Sequence, residues 1–156
     1  MTVRTSGRRR ARLLFALVLA ALGQAALAET TALITRSVNV RAGPNQSMPS
    51  VTTLLTGTRV ELVGCVASWR WCDVQSGSNR GWVYSRYLSV PFEGSAKTII
   101  DGGPNLGLPL VEFQLGPYWD EHYQRRFWYA EKASWQRRWN EMRPAPEWRP
   151  PAGRAQ

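Results

Sequence analysis

Apolar and polar residues alternate along several segments between residues 32 and 90, a pattern typical of β-strands with one buried face. Val60 and Leu62 share one predicted face, and Val74 shares the face of Cys72 in a later segment. Clusters of Gly, Pro, Asn and Ser separate the segments, which is the composition of tight turns. The predicted strands are residues 32–40, 51–56, 59–66, 71–75, 81–84 and 88–90, with one helical turn at residues 85–87.

The N-terminus carries a different hydrophobic pattern. Five arginines precede an uninterrupted apolar run at residues 13–22, and Ala26-Leu27-Ala28 follows it. A basic segment, a short apolar run and small residues at a cleavage position are typical of an export signal. Ten apolar residues are about half of what a membrane anchor needs. We therefore predict a signal peptide at residues 1–28 and an exported protein that is periplasmic or extracellular.

Removal of this segment changes the charge of the chain. The full sequence has a formal net charge of +9, but the signal contains five of its twenty basic residues and none of its eleven acidic ones. The remaining chain has a net charge of +4, so the high isoelectric point gives little support to a nucleic-acid partner. We predict no nucleic-acid binding.

Cys65 and Cys72 lie in adjoining predicted strands, but their positions in the alternation disagree. Cys72 shares the buried face of its strand, whereas Cys65 is out of phase with the buried positions of its own. A β-bulge at Gly64 would insert one residue, restore the phase and place the two cysteines opposite each other. A tight turn around Ser68 and Trp69 would join the strands.

Export and an even cysteine count favour a structural disulfide between these residues. Zinc is the competing interpretation, but the only histidine is His122 and the spacing is not C-x-x-C. We expect the disulfide, no metal site and no cofactor.

The residue composition and the predicted elements change after residue 91. Residues 92–117 have the composition of a linker and include two predicted short strands, 98–100 and 108–115. Residues 118–143 predict an amphipathic helix, in which Asp120 and Glu121 would lie in the first turn. The last segment, residues 144–156, is rich in proline and is expected to be extended and disordered.

The predicted helix is rich in aromatic and basic residues. Trp128, Trp135, Trp139 and Met142 fall on one stripe at 100° per residue. These side chains pack on the strands or in a dimer in the simplest interpretation. Peripheral contact with an anionic membrane surface or wall polymer is the second interpretation, because interleaved arginines and lysine accompany the stripe.

Two motifs relate the strand region to a known family. VNVRAGP at residues 38–44 and GWVYSRYL at residues 81–88 resemble the N-V-R-x-G-P and G-W-V-x-x-x-Y-L motifs of bacterial Src homology 3 domains. The resemblance covers about residues 34–90. It implies an all-β small barrel, assigned to residues 32–91, that binds a ligand instead of catalysing a reaction.

The resemblance also implies an aromatic-lined groove between two loops. Carried over by position, its candidate residues are Trp69, Trp71, Trp82, Tyr84, Tyr87 and Arg41, with Arg70 and Arg86 nearby for an anionic group. Two of these have simpler interpretations. Trp82 can be a core residue, and Arg41 can hydrogen-bond to carbonyls of its own loop.

The expected function is that of a non-catalytic cell-envelope module whose groove recognises a cell-wall peptide or glycan. The alternative is a protein–protein interaction or scaffold protein whose groove binds a polypeptide, such as its own Pro-rich tail. We expect no enzyme, because the chain offers one histidine and scattered carboxylates and no free thiol if the disulfide forms.

Overall fold

A computed structural model describes residues 30–142 of the protein. The predicted signal at residues 1–28 and the predicted Pro-rich tail at residues 144–156 lie outside the described residues. Among residues 30–142, no helix combines the length and the apolar character that crossing a bilayer requires.

Eight antiparallel strands form one sheet in the described part of the chain. The strands are β1 Thr30–Ile34, β2 Val38–Arg41, β3 Ser50–Leu54, β4 Arg59–Cys65, β5 Trp71–Ser76, β6 Asn79–Tyr84, β7 Leu88–Phe92 and β8 Ser95–Thr98. Their order across the sheet is β3-β2-β6-β5-β4-β1-β7-β8. A 3₁₀ turn at Ser85–Tyr87 joins β6 to β7, as the sequence predicts.

The predicted closed barrel is not confirmed. The sheet has β3 and β8 as its ends, and in residues 30–142 these two strands do not pair. The sheet nevertheless surrounds a single core, because buried side chains from β1 to β7 belong to one packed cluster. Among them are Ile34, Val40, Val60, Val74 and Leu88.

The predicted bulge and disulfide are both present. Leu62 pairs with Val74 and Gly64 pairs with Asp73, so one extra residue is inserted between the two pairs. Cys65 then lies directly opposite Cys72, and the two sulfurs are bonded.

Gly64 also permits the close approach of a later segment. A Cβ atom at this position would lie 2.6 Å from a methyl carbon of Val111 and 2.9 Å from the carbonyl oxygen of Pro109. The Cys65 amide donates to the Pro109 carbonyl, and the Val111 amide donates to the Cys65 carbonyl, each at 2.9 Å. The chain after β8 therefore returns to the sheet beside the disulfide.

The prediction of two short strands at residues 98–100 and 108–115 is wrong. β8 forms a hairpin with β7, and it is followed by helix α1 at Ile99–Gly102 and a 3₁₀ turn at Gly103–Leu106. Of residues 108–115, only Leu110 bridges to the sheet, in parallel with Cys65. Ile99 is the first residue of α1, and its buried side chain packs in the core.

The single long helix predicted at residues 118–143 is also wrong. The chain forms α2 at Leu115–His122, a 3₁₀ helix at Phe127–Glu131 and α3 at Lys132–Met142. Packing explains the break, because Trp119, Tyr123 and Trp128 are all buried. One straight helix would place Trp128 about 180° from Trp119 around its axis, so it could not bury both rings against one surface.

The break also moves Asp120 away from a helix N-terminus. Asp120 lies in the last turn of α2, where the helix dipole disfavours a negative charge. Hydrogen bonds from the Lys132 ammonium and then from the Tyr129 hydroxyl lower the pKa of Asp120 and keep it ionised. Trp135, Trp139 and Met142 pack against the core, so the predicted apolar stripe faces the protein's own interior.

The disulfide should contribute measurably to stability. Closing a loop of about eight residues is worth about 2.5 kcal/mol in the chain-entropy model. Cys72→Ser should therefore lower the melting temperature by roughly 5–10 °C in a calorimetric scan. Dithiothreitol should lower the wild-type melting temperature similarly and leave the variant unchanged. Equal melting temperatures for the wild type and the variant would contradict this role.

Candidate functional site

The strand pairing assigns four side chains to one face of the sheet. Trp71 of β5 pairs with Tyr84 of β6, and Asp73 of β5 pairs with Trp82 of β6. Directly paired residues, and residues two apart in a strand, point to the same side. We call this side the outer face, because Cys72, Val74 and Val83 point into the core on the other side.

Three aromatic side chains form a row at one end of the outer face. The ring centroids of Trp71 and Tyr84 are 5.6 Å apart, and those of Tyr84 and Tyr87 are 5.9 Å apart. Both pairs meet edge to face at 64°, an arrangement that aromatic quadrupoles favour. Strand β6 and the 3₁₀ turn after it place Tyr84 and Tyr87 beside Trp71. All three rings are half-buried.

This aromatic row borders a groove of about 830 Å³, a size within the usual range for ligand sites. The other wall comes from the β1–β2 connection, β2 and the loop that follows β2. The lining residues are Arg36, Ser37, Val38, Asn39, Arg41, Asn45, Gln46, Ser47, Arg70, Trp71, Tyr84, Tyr87 and Met142.

The charged side chains of the groove are all arginines. Arg36 lies over the Tyr87 ring at 5.2 Å from its centroid, a cation–π contact. Arg41 donates a hydrogen bond from Nη1 to the Met48 carbonyl at 3.2 Å and so stabilises the loop after β2. This is the hydrogen bond to its own loop that the simpler interpretation of Arg41 predicts. Within residues 30–142, neither these two nor Arg70 forms an ion pair, and no Asp or Glu lines the groove.

Four of the six groove residues predicted from the sequence lie together in the structure. Arg41, Trp71, Tyr84 and Tyr87 all line the groove, and Arg70 joins them. Arg86 is exposed but does not line it. Trp69 and Trp82 do not line it either.

Trp82 is covered by the C-terminal segment. It is 1% exposed, and its ring lies 5.4 Å from Phe113 and 5.9 Å from Tyr118, centroid to centroid. The Trp119 indole donates to the Ala42 carbonyl at 2.8 Å and ties α2 to the end of β2. We call residues 113–142 the C-terminal cover. Trp82 is thus a buried residue, as its simpler interpretation predicts, and the C-terminal cover is what buries it.

Trp69 is covered by a different segment. It adopts a left-handed backbone conformation with φ of 59° in the β4–β5 turn. Its ring lies against Gly103, where a Cβ atom would come within 3.5 Å of it. Trp69 therefore holds the 3₁₀ turn after α1 and is not available to a ligand in the groove.

A buried polar cluster fixes the C-terminal cover beside the groove. Asp73 is 3% exposed and accepts two hydrogen bonds from the Arg80 guanidinium, each at 2.7 Å. The Tyr118 hydroxyl donates to the same carboxylate at 2.8 Å. Tyr123 donates to the Arg80 carbonyl at 2.8 Å. The cover is thus attached to β5 and β6 by hydrogen bonds as well as by aromatic packing.

Burial perturbs the acid–base properties of this cluster. Desolvation raises the pKa of Tyr118 well above its usual value, and the nearby Tyr123 and Asp73 raise it further. Desolvation likewise raises the pKa of Tyr123. Burial alone would lower the pKa of Arg80, but the hydrogen bonds and charge of Asp73 outweigh it and raise the pKa. His122, whose ring touches Tyr118, has its pKa lowered by desolvation.

Sequence reasoning missed several groove residues. Arg36 lies two positions before the first family motif, and Asn39 lies within that motif. Asn39 has an identifiable signal, since it alternates with the buried Val40 and must point outward. Met142 is the last residue of α3, and it lines the groove through the tertiary packing of α3 against the core. No local pattern predicts that contact.

The described residues do not bring a metal-binding set together. No group of three or more His, Cys, Asp or Glu side chains suited to a metal ion is found in residues 30–142. Both cysteines are in the disulfide.

Comparison with known proteins identifies the strand region. Residues 36–89 match the family model of the bacterial SH3 domain, about a third of the chain. The match includes both motifs and every groove residue except Met142. The family resemblance read from the sequence is thereby confirmed. No curated protein matches the chain.

The raised pKa of Tyr118 predicts a loss of stability in alkali. Its proton is retained in the folded state at pH values where the unfolded chain releases it, so this stabilisation is present below about pH 10 and is lost as the pH rises further. Tyr118→Phe should cost about 1.5 kcal/mol at pH 7, through the lost hydrogen bond to Asp73.

Urea unfolding between pH 7 and pH 11 would measure both effects. The free energy of unfolding should fall less steeply above pH 10 in Tyr118→Phe than in the wild type. Tyr123 remains in the variant, so some decline persists. Parallel curves for the two proteins would contradict the assignment.

Proposed function

We propose that this protein, whose residues 36–89 form a bacterial SH3 domain, is a non-catalytic binding module of the cell envelope, and that its groove recognises a cell-wall peptide or glycan. The open row of Trp71, Tyr84 and Tyr87 carries the proposal. Aromatic faces bury large areas at little entropic cost and stack on sugar rings and peptide groups. The neighbouring amides of Asn39 and Asn45 supply hydrogen bonds that fix the orientation of a polar ligand.

The make-up of the groove supports binding without catalysis. A wall hydrolase needs an acid–base pair, a metal-bound water, or a nucleophile beside a base. The lining residues in the described part of the chain include two serines but no His, Asp, Glu, Cys or Lys. A serine without a neighbouring base is a weak nucleophile at neutral pH.

Export is part of the proposal. The Cys65–Cys72 disulfide fits an oxidising compartment, such as a periplasm or the cell exterior. The export signal expected at residues 1–28 would deliver the protein there, and the cell wall is the ligand available at that location.

Retention on purified peptidoglycan tests the proposal. Tyr84 touches both other rings of the row, so Tyr84→Ala should weaken retention of the mature protein at least tenfold. Phe127→Ala is the matched control, because Phe127 is 92% exposed and lies outside the groove, and it should bind as the wild type does. Absence of wild-type retention would refute wall binding, and equal weakening by both variants would refute the groove as its site.

A polypeptide ligand is the second candidate, in which the protein acts as an interaction or scaffold protein. One contact favours it: Met142, the last described residue, lines the groove, so the chain continues from the edge of the groove into residues 143–156. Those residues include the PAPEWRPP sequence, and proline-rich segments bind aromatic grooves with little loss of entropy.

A synthetic peptide of residues 143–156 can test this alternative. In this peptide Phe replaces Trp148, so that all tryptophan fluorescence comes from the protein. The peptide should bind a protein that ends at residue 142 and should quench or shift the tryptophan fluorescence of that protein. Tyr84→Ala in the protein should abolish the change. An unchanged spectrum at millimolar peptide would exclude the tail as a ligand of the groove.

A further inference from the structure

We propose that Arg36 and Arg70 make the groove selective for wall peptides that carry free carboxylates, over neutral glycan strands and over peptides whose carboxylates are amidated. This inference rests on the proposed wall-binding function and specifies its ligand. It derives from the arginine side chains that line the groove beside the aromatic row.

The groove presents positive charge without compensation. Three arginines line it, and no acidic side chain of residues 30–142 does. Elsewhere in the described chain, Arg80, Lys132 and Arg138 each lie within 4 Å of a carboxylate. The groove arginines have no such partner among the described residues. Unpaired guanidiniums grouped at a concave surface raise the local concentration of anions.

The three arginines are not equivalent. One N–H group of Arg41 is already used by the Met48 carbonyl. The side chains of Arg36 and Arg70 are exposed, and neither guanidinium donates a hydrogen bond to another described residue. A planar guanidinium can donate two parallel hydrogen bonds to a carboxylate, a contact that a neutral hydroxyl cannot match. Arg36 and Arg70 therefore carry the selectivity.

The two arginines border the row of rings at different points. Arg36 lies over Tyr87, and Arg70 immediately precedes Trp71 in the chain. Tyr84 lies between Trp71 and Tyr87, at 5.6 and 5.9 Å from their centroids. The matching ligand has carboxylates separated by an uncharged section that can lie against the rings. A short peptide with carboxylates at separate positions has this form.

Two other wall components fit less well. A neutral glycan would partly desolvate the guanidiniums without supplying an anion to pair with them, which costs free energy. A polymer with a phosphate on every unit would set some of its charges against the negative faces of the aromatic rings. The arrangement of charge and rings thus favours the acidic peptide.

Chemical modification of the wall isolates this selectivity. Purified peptidoglycan would be used in its native form and after its carboxyl groups have been converted to amides with carbodiimide and ammonium. The dissociation constant of the mature full-length protein would be measured on both forms at one ionic strength. The wild type should bind the amidated form at least tenfold more weakly, since charge-assisted hydrogen bonds are lost.

Two double variants with the same net charge complete the test. Arg36→Gln with Arg70→Gln should bind native peptidoglycan at least tenfold more weakly than the wild type and should not distinguish the two forms. Arg59→Gln with Arg125→Gln changes two exposed arginines outside the groove and should behave as the wild type does. Circular dichroism of both variants would verify that they are folded.

The outcomes separate this inference from the function on which it rests. Equal wild-type binding to native and amidated peptidoglycan would overturn the carboxylate selectivity and leave wall binding intact. Equal weakening in the two double variants would overturn the role of Arg36 and Arg70 and indicate a general effect of net charge. No wild-type binding to either form would refute the proposed function itself.

Discussion

A buried carboxylate, Asp73, is the constraint on which the arrangement of this protein depends. An ionised group that is 3% exposed must be paired and hydrogen-bonded, and Asp73 obtains two hydrogen bonds from Arg80 and one from Tyr118. Arg80 belongs to the sheet, but Tyr118 belongs to the C-terminal cover. The sheet thus provides a polar anchor, the Asp73–Arg80 ion pair, and the cover completes it through Tyr118.

This anchor divides the outer face of the sheet into two parts. In one part, Phe113 and Tyr118 cover Trp82 of β6. In the other part, Trp71 of β5 and Tyr84 of β6 line the groove. α3 ends at the boundary, where Met142 contributes to the groove wall. The cover therefore both stabilises a small domain, which has little core of its own, and defines which aromatic side chains can meet a ligand. Binding and stability use neighbouring rings of one face for different purposes.

The sequence predicts the features that depend on neighbouring residues and fails for those that depend on packing between distant segments. Alternation and turn composition predicted β3 to β7, but the single strand predicted at residues 32–40 is divided into β1 and β2, and β8 was missed. The phase conflict at Cys65 predicted the bulge beside Gly64 and the disulfide. The break between α2 and α3 was missed, because residues 123–126 contain no proline or glycine and the break follows from burial of Trp119, Tyr123 and Trp128 against the sheet. Arg36 and Met142 were missed for the same reason, since their places in the groove come from tertiary contacts.

The indole N–H signals of the tryptophans offer the most direct test that the uncovered part of the outer face is the binding site. They would be assigned in the ¹⁵N spectrum through single Trp→Phe variants and followed while soluble peptidoglycan fragments are added. We expect a saturable shift of the Trp71 signal, with the signals of Trp82 and Trp69 unchanged. A shift of Trp82 or Trp69 without a shift of Trp71, or no shift of any indole, would contradict binding at the uncovered part of the outer face.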